Sequence, residues 1–393
     1  MKYDFDIIID RSQNSERKWD QLYIAKNYHL TGDNIINSSI ADLDFLTPPP
    51  IVNAILERAK KRVYSYTYVS DEFYQTISNW YYHQHQISVP VDKIKLVHGT
   101  VNALHQLIQC LTDVDDYVLI QTPVYGPFGH AIINNNRCLL TNQLQWIDDS
   151  YHIDFAAFEA TIKKYHPKLF ILCNPHNPGG RVWTRNELQK IIVICQQYRV
   201  LIISDEVHGD LALPNVKFHS LLSFIIRDNN LIVCNSPNKA FNLGGLKSSY
   251  IITYNAMLRA KIDAQYQRTS ITSPNVFAIP AYLAAYNNPE VVIWKTAMLN
   301  YVVKNYRYVR EKLGLIPGLK VMELEASYLM WINYAETNLT SQQVNELLLK
   351  YKLIVSKDND FVEAPATCFR INIGTSFAMV VKLVNILITI FSK

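Results

Sequence analysis

Six short apolar runs, none alternating with polar residues, constrain this chain more than any other feature. They are KIKLV (93–97), YVLIQ (117–121), KLFILC (168–173), RVLIIS (199–204), NLIVCN (230–235) and SSYIIT (248–253). Runs rich in Val, Ile and Leu without a period of two are strands covered on both faces. Helical patterns lie between them. Thr184 stands three residues before Glu187, a capping-box start, and the helix NELQKIIVICQQY leads straight into RVLIIS. Strand, helix and strand at this spacing predict an α/β fold with a mostly parallel sheet.

The pattern changes near residue 287. A long helical segment precedes a strand-like SYLMWINY, a helix SQQVNELLLKYK and a final strand CFRINIG. These read as a smaller α+β C-terminal domain. The expected division is an N-terminal segment 1–45 packing with the small domain, a large domain 46–286 and a small domain 287–393.

Composition excludes several functions. The chain has 393 residues, 49% of them hydrophobic, enough for a large core. Its net charge is +4, with both signs interspersed and no basic stripe for nucleic acid. No apolar run reaches about 18 residues, so no membrane span is expected. AMVVKLVNILITIF carries Lys382 and Asn385 and reads as a packed terminal helix. The opening MKYDFDIIIDRSQNSERKWD is too charged for a signal peptide, which predicts a cytoplasmic protein. The six cysteines, at 110, 138, 173, 195, 234 and 368, form no C-x-x-C pair. Buried free thiols in a reducing compartment are expected, and no metal site.

Ligands of α/β sheets bind beyond the carboxyl ends of the strands. Five polar strings occupy that position: His98-Gly99-Thr100-Val101-Asn102, Thr122-Pro123-Val124-Tyr125, Asn174 to Gly180, Asp205-Glu206-Val207-His208, and Ser236-Pro237-Asn238-Lys239. Each alone fits something plain. Gly99–Val101 and Asn177-Pro-Gly-Gly fit turns, Asp205 a helix cap, His208 a core histidine. Five in one sheet fit a shared site. Lys239 is badly placed for solvent, and partial burial makes an amine a nucleophile toward carbonyls. Together the strings describe a pyridoxal-phosphate site. Lys239 would meet the aldehyde, and Gly99–Val101 with Ser236 the phosphate. Asp205 would face the pyridinium nitrogen, Asn177 the ring hydroxyl and Tyr125 the ring.

The chain resembles the fold-type I pyridoxal-phosphate enzymes of the class I/II aminotransferase superfamily, and within it the cystathionine β-lyase branch. The strings that carry the likeness are ADLDFLTPPPI (41–51), TPVYGPF (122–128), NPHNPGGRVWT (174–184), ISDEVHGDL (203–211), NKAFNLGGLK (238–247), SPNVFAIPA (273–281) and FRINIG (369–374). The resemblance implies a seven-stranded sheet, pyridoxal 5′-phosphate bound through Lys239, and Arg370 gripping the substrate α-carboxylate. It also implies substrate contacts from Ala41 and Asn177, and His208 near the ring oxygen, where aminotransferases usually have tyrosine. Lys247 would contact the phosphate, where an arginine is common. Tyr66 would reach the cofactor of a neighbouring subunit, so a homodimer is expected. Ser65, the glycine-free VSKDNDFVEAPATCFR (355–370) and EASYLMW (325–331) depart from the family pattern. They bear on side-chain specificity and on the C-terminal loop.

The activity implied is α,β-elimination of L-cystathionine or S-substituted L-cysteines to thiol, pyruvate and ammonia. An aminotransferase shares every residue named, because the paths part only after Cα deprotonation. ADLDF and the histidine of SDEVH favour the lyase. A regulatory protein that binds the cofactor and acts through a partner is a third reading.

Overall fold

The computed structural model describes residues 3–224 and 230–392. Its main sheet has seven strands: β1 (Ile94–Val97), β2 (Tyr117–Thr122), β3 (Cys138–Gln143), β4 (Leu169–Cys173), β5 (Leu201–Asp205), β6 (Leu231–Asn235) and β7 (Ser249–Ile252). The order across the sheet is β1-β7-β6-β5-β4-β2-β3. Strand β7 runs antiparallel to β6 and β1, and every other pairing is parallel. The carboxyl ends of β1, β2, β4, β5 and β6 therefore share one edge.

All residues of β4, β5 and β6 are buried. Successive residues feed opposite cores: Ile202 packs in the larger cluster and Ile203 in the smaller. Six of the seven strands coincide with the apolar runs. Strand β3 was not anticipated, because CLLTNQ is only half apolar and sits on the sheet edge, where four of its six residues are half-buried. The helix after Thr184 forms as expected, with both capping-box hydrogen bonds. Cys173, Cys195, Cys234 and Cys368 are buried free thiols. Cys110 and Cys138, expected to be buried, are only half-buried. Cys138 opens the edge strand, and Cys110 lies at the end of helix α1 (Thr100–Leu111).

The C-terminal sheet is antiparallel, in the order Lys320–Val321 (β8), Leu329–Asn333 (β9), Cys368–Asn372 (β12), Ser356–Lys357 (β10). The pair Phe361–Val362 (β11) lies outside it. Helix Phe377–Phe391 is capped by Ser376 and buries Val380, Leu383, Val384, Leu387 and Ile390. Ile36–Asn37 pair in parallel with Leu353–Ile354. No helix among the described residues is long and apolar enough to cross a membrane.

Candidate active site

Register brings the five loops together. Cys173 pairs with Asp205, and Asp205 with Cys234, so β4, β5 and β6 end side by side. Beyond them lies a cavity of about 280 Å³. Its wall includes Ala41, Gly99, Thr100, Val101, Tyr125, Asn177, Asp205, His208, Ser236, Lys239 and Lys247. Eleven of the thirteen residues expected at the site thus meet in one place.

Local backbone explains their positions. Gly99 has φ +87° and precedes α1, a conformation that favours glycine. Thr100, Val101 and Asn102, the first residues of α1, line the cavity, and a helix amino terminus is the usual seat of an anion. The Thr100 hydroxyl is 3.0 Å from that of Ser249, which ties the turn to β7. After β6, Asn238 donates to the Ser248 carbonyl at 2.6 Å, and Lys239 sits in the first turn of a four-residue helix. The Lys239 Nζ donates to the Ala41 carbonyl at 2.7 Å and lies 3.9 Å from Asp42 Oδ1.

Burial sets the electrostatics. It pushes the Asp205 carboxyl up to about 7, opposed by the Val207 N–H and by Lys239. It pushes the Lys239 amine down, against the pull of Asp42. It drives His208 down to about 3, with Lys239 and Arg370 adding to the effect. The Arg370 guanidinium is lowered to about 10, again chiefly by burial.

Two expected residues are not on the cavity wall. Arg370 is buried beside it and donates to Asn177 Oδ1 at 2.7 Å, the Ser39 carbonyl at 2.9 Å and Ser356 Oγ at 3.1 Å. With its carbonyl so engaged, the Asn177 amide has its NH₂ left over for other partners. Tyr66 is 97% exposed, outside the cavity of its own chain.

His98, Asn102, Phe128, Cys173 and Asn238 line the cavity without having been assigned a role. His98, Asn102 and Asn238 stand inside the strand-end strings, so position was the available signal. Cys173 Sγ accepts from the Asn177 N–H at 3.3 Å, which only the folded backbone shows. Lys18 was missed as well. It is buried and binds Asp44 at 2.9 Å and the Asp42 carbonyl at 2.9 Å, bracing the segment that carries Ala41.

This geometry agrees with known proteins. The profile of the family "aminotransferase class I and II" matches residues 33–387, and the chain belongs to that family. Cystathionine beta-lyase PatB of Bacillus subtilis (strain 168) is 33% identical over 95% of this chain and 96% of its own. Two solved structures superpose closely. Cystalysin from Treponema denticola, which contains a pyridoxal 5′-phosphate cofactor, gives a TM-score of 0.93 at 28% identity, covering 100% of this chain and 99% of its own. The PLP-bound C-S lyase from Staphylococcus hominis gives 0.89 at 29% identity, covering 100% and 99%.

Proposed function

We propose that this chain is a pyridoxal 5′-phosphate-dependent carbon–sulfur β-lyase. It takes L-cystathionine or an S-substituted L-cysteine to a thiol, pyruvate and ammonia. One observation carries the reading. The half-buried amine of Lys239 and the buried carboxyl of Asp205 line one cavity with the amino-terminal turn of α1. Family membership and the likeness to proteins named as lyases support it.

The residues fit the cofactor. Asp205 is buried with one backbone N–H on its carboxylate, and a protonated ring nitrogen is the cation such a group lacks. Asn102 Oδ1, His208 Nδ1 and Asn238 Oδ1 are buried without a hydrogen-bond partner among the described residues. Buried polar atoms are ordinarily paired, so these three suit a polar ligand. Gly99–Val101, Ser236 and Lys247 would hold the phosphate. Asp205 would hold the ring nitrogen, Asn177 and His208 the ring oxygen, Tyr125 the ring face and Lys239 the aldehyde. When bound, the cofactor supplies an aldehyde for the substrate amine and an electron sink for the pair left at Cα.

The remaining acts belong to the chain's own side chains. Arg370 grips the α-carboxylate with a planar fork that matches two oxygens at once, beside Asn177 and Ala41. The Lys239 amine removes the Cα proton as general base. Burial lowers its pKa and keeps it receptive, and Asp42 holds that shift in check. His208 stays neutral at physiological pH, so it offers a ring nitrogen without adding positive charge. Tyr66, exposed on its own chain, would serve the site of a second copy, which makes the working unit a homodimer.

Purified protein with added cofactor should release pyruvate and thiol from L-cystathionine. Turnover that needs a keto acid and frees no thiol would make it an aminotransferase instead. Mixed dimers of Tyr66→Ala and Lys239→Ala subunits should recover part of the activity that each variant lacks. No recovery would count against the shared site.

A further inference from the structure

The glycine-free segment 355–370 reaches out of the C-terminal sheet to the large one. At Phe361–Val362 it leaves the C-terminal sheet and pairs antiparallel with Val124–Tyr125, Phe361 opposite Tyr125 and Val362 opposite Val124. The next residue, Glu363, accepts hydrogen bonds from the hydroxyls of Thr122 at 2.8 Å and Thr141 at 3.0 Å. Those threonines belong to β2 and β3 of the large sheet. Val362 lies over Gly129, where an added Cβ would come within 2.7 Å of its Cγ2. So three consecutive residues latch onto the surroundings of Tyr125, Phe361 and Val362 onto its two-residue strand and Glu363 onto β2 and β3.

The same segment touches Arg370. The buried Phe361 ring has its centroid 5.1 Å from the guanidinium carbon, and Trp331 lies edge-on to it at 5.0 Å. Arg370 has no ion pair among the described residues. Neutral dipoles hold its fork: Asn177, Ser39 and Ser356. Its Nε has no hydrogen-bond partner among the described residues. A guanidinium fixed this way is set by the surfaces around it, and Phe361 supplies one of them.

We propose that residues 361–363 form a strap that holds Arg370 against the Val124–Tyr125 strand, with Phe361 and Glu363 as positioning residues for the substrate α-carboxylate. This rests on the reading of Arg370 given above. The strap orders the arginine before substrate arrives, so binding does not have to order it. Phe361 acts through the face of its ring, and Glu363 acts at a distance by keeping β11 on Val124–Tyr125.

The test uses the holoenzyme, with L-alanine as a probe that has no leaving group. Its Kd is read from the cofactor absorption, alongside KM and kcat for L-cystathionine. Phe361→Leu should raise Kd and KM about tenfold with kcat within about twofold, and Phe361→Tyr should restore both. Glu363→Ala and Thr141→Val, on the far side of the strap, should give the same split at about threefold. The double variant should be no worse than Glu363→Ala alone, since Thr141→Val removes one of the two bonds that Glu363→Ala removes. In the apoprotein, Glu363→Ala should also speed amide exchange at residues 124–125 and 361–362. The proposal fails if Phe361→Leu and Glu363→Ala leave Kd and KM unchanged while Arg370→Lys raises them. It also fails if the strap variants lose kcat or cofactor in parallel, which would mark a merely structural role. An Arg370→Lys variant with unaltered Kd and KM would remove the carboxylate assignment itself, and the strap with it.

Discussion

The two halves of the proposed site, the cavity and the arginine cluster beside it, are built in different ways. The cofactor half comes from the ends of neighbouring strands in one sheet, set by a register that repeats from β4 to β6. The half proposed for the substrate centres on Arg370, which Ser356 meets from 14 positions away and Ser39 from 331. The first depends on many parallel contacts, the second on a few long-range ones. Chemistry and cofactor retention should therefore fail with the first half, and substrate affinity with the second.

Lys239→Ala is the severest break. Removing the amine proposed as general base should cut pyruvate release by about 10³-fold or more, with circular dichroism unchanged. Unchanged turnover would end the division between the halves, since no other amine on the cavity wall is so enclosed. Arg370→Lys should come next, with KM up roughly 10²-fold and the cofactor retained, because an ammonium lacks the paired donors. Lost cofactor there would mean that the halves are not separable. Lys247→Ala sharpens the first half from within. Cofactor affinity, followed by absorbance on dialysis, should fall about tenfold, and kcat at saturating cofactor should stay near wild type.

The smallest effect is a slope. Asp205 is held at about 7 against an ordinary 3.8. Between those values the folded apoprotein keeps a proton that the unfolded chain has released. This contribution therefore favours folding most at low pH and is lost as pH rises through about 7. In urea unfolding, wild-type apoprotein should lose stability relative to Asp205→Asn between pH 4 and about 7.5. Glu206, raised to about 7, and His176, lowered to about 3, titrate in both proteins and cancel in the difference. A flat difference would show that Asp205 already has a cationic partner within the protein.

The halves differ equally in how far sequence alone exposes them. Two-sided burial writes itself as unbroken apolar runs, and each large side chain so buried contributes about 1.5–3 kcal/mol, so β4, β5 and β6 could not be disguised. Their polar successors then point to the site by position. Edge strand β3 needs apolar residues on less of its surface, and Thr141, Asn142 and Gln143 hide it. The strap carries no period at all. Its two-residue strand exists because a partner waits elsewhere in the chain, and the Thr122–Glu363 bond spans 241 positions. Arg370 was legible only through FRINIG and its likeness to a family. The roles of Phe361 and Glu363 had no local signal.

The bond from Ser38 Oγ to the Asn372 carbonyl joins residues 334 positions apart. On a ribosome, the segment that carries Ala41 emerges first and must wait for β12 before it can settle. The five cofactor loops, complete by Lys247, are available much sooner. On the proposed assignments, the maturing chain has its means of holding a cofactor before it can hold a substrate. Such long-range closure is also slow, which makes this wall of the site the late step in assembly.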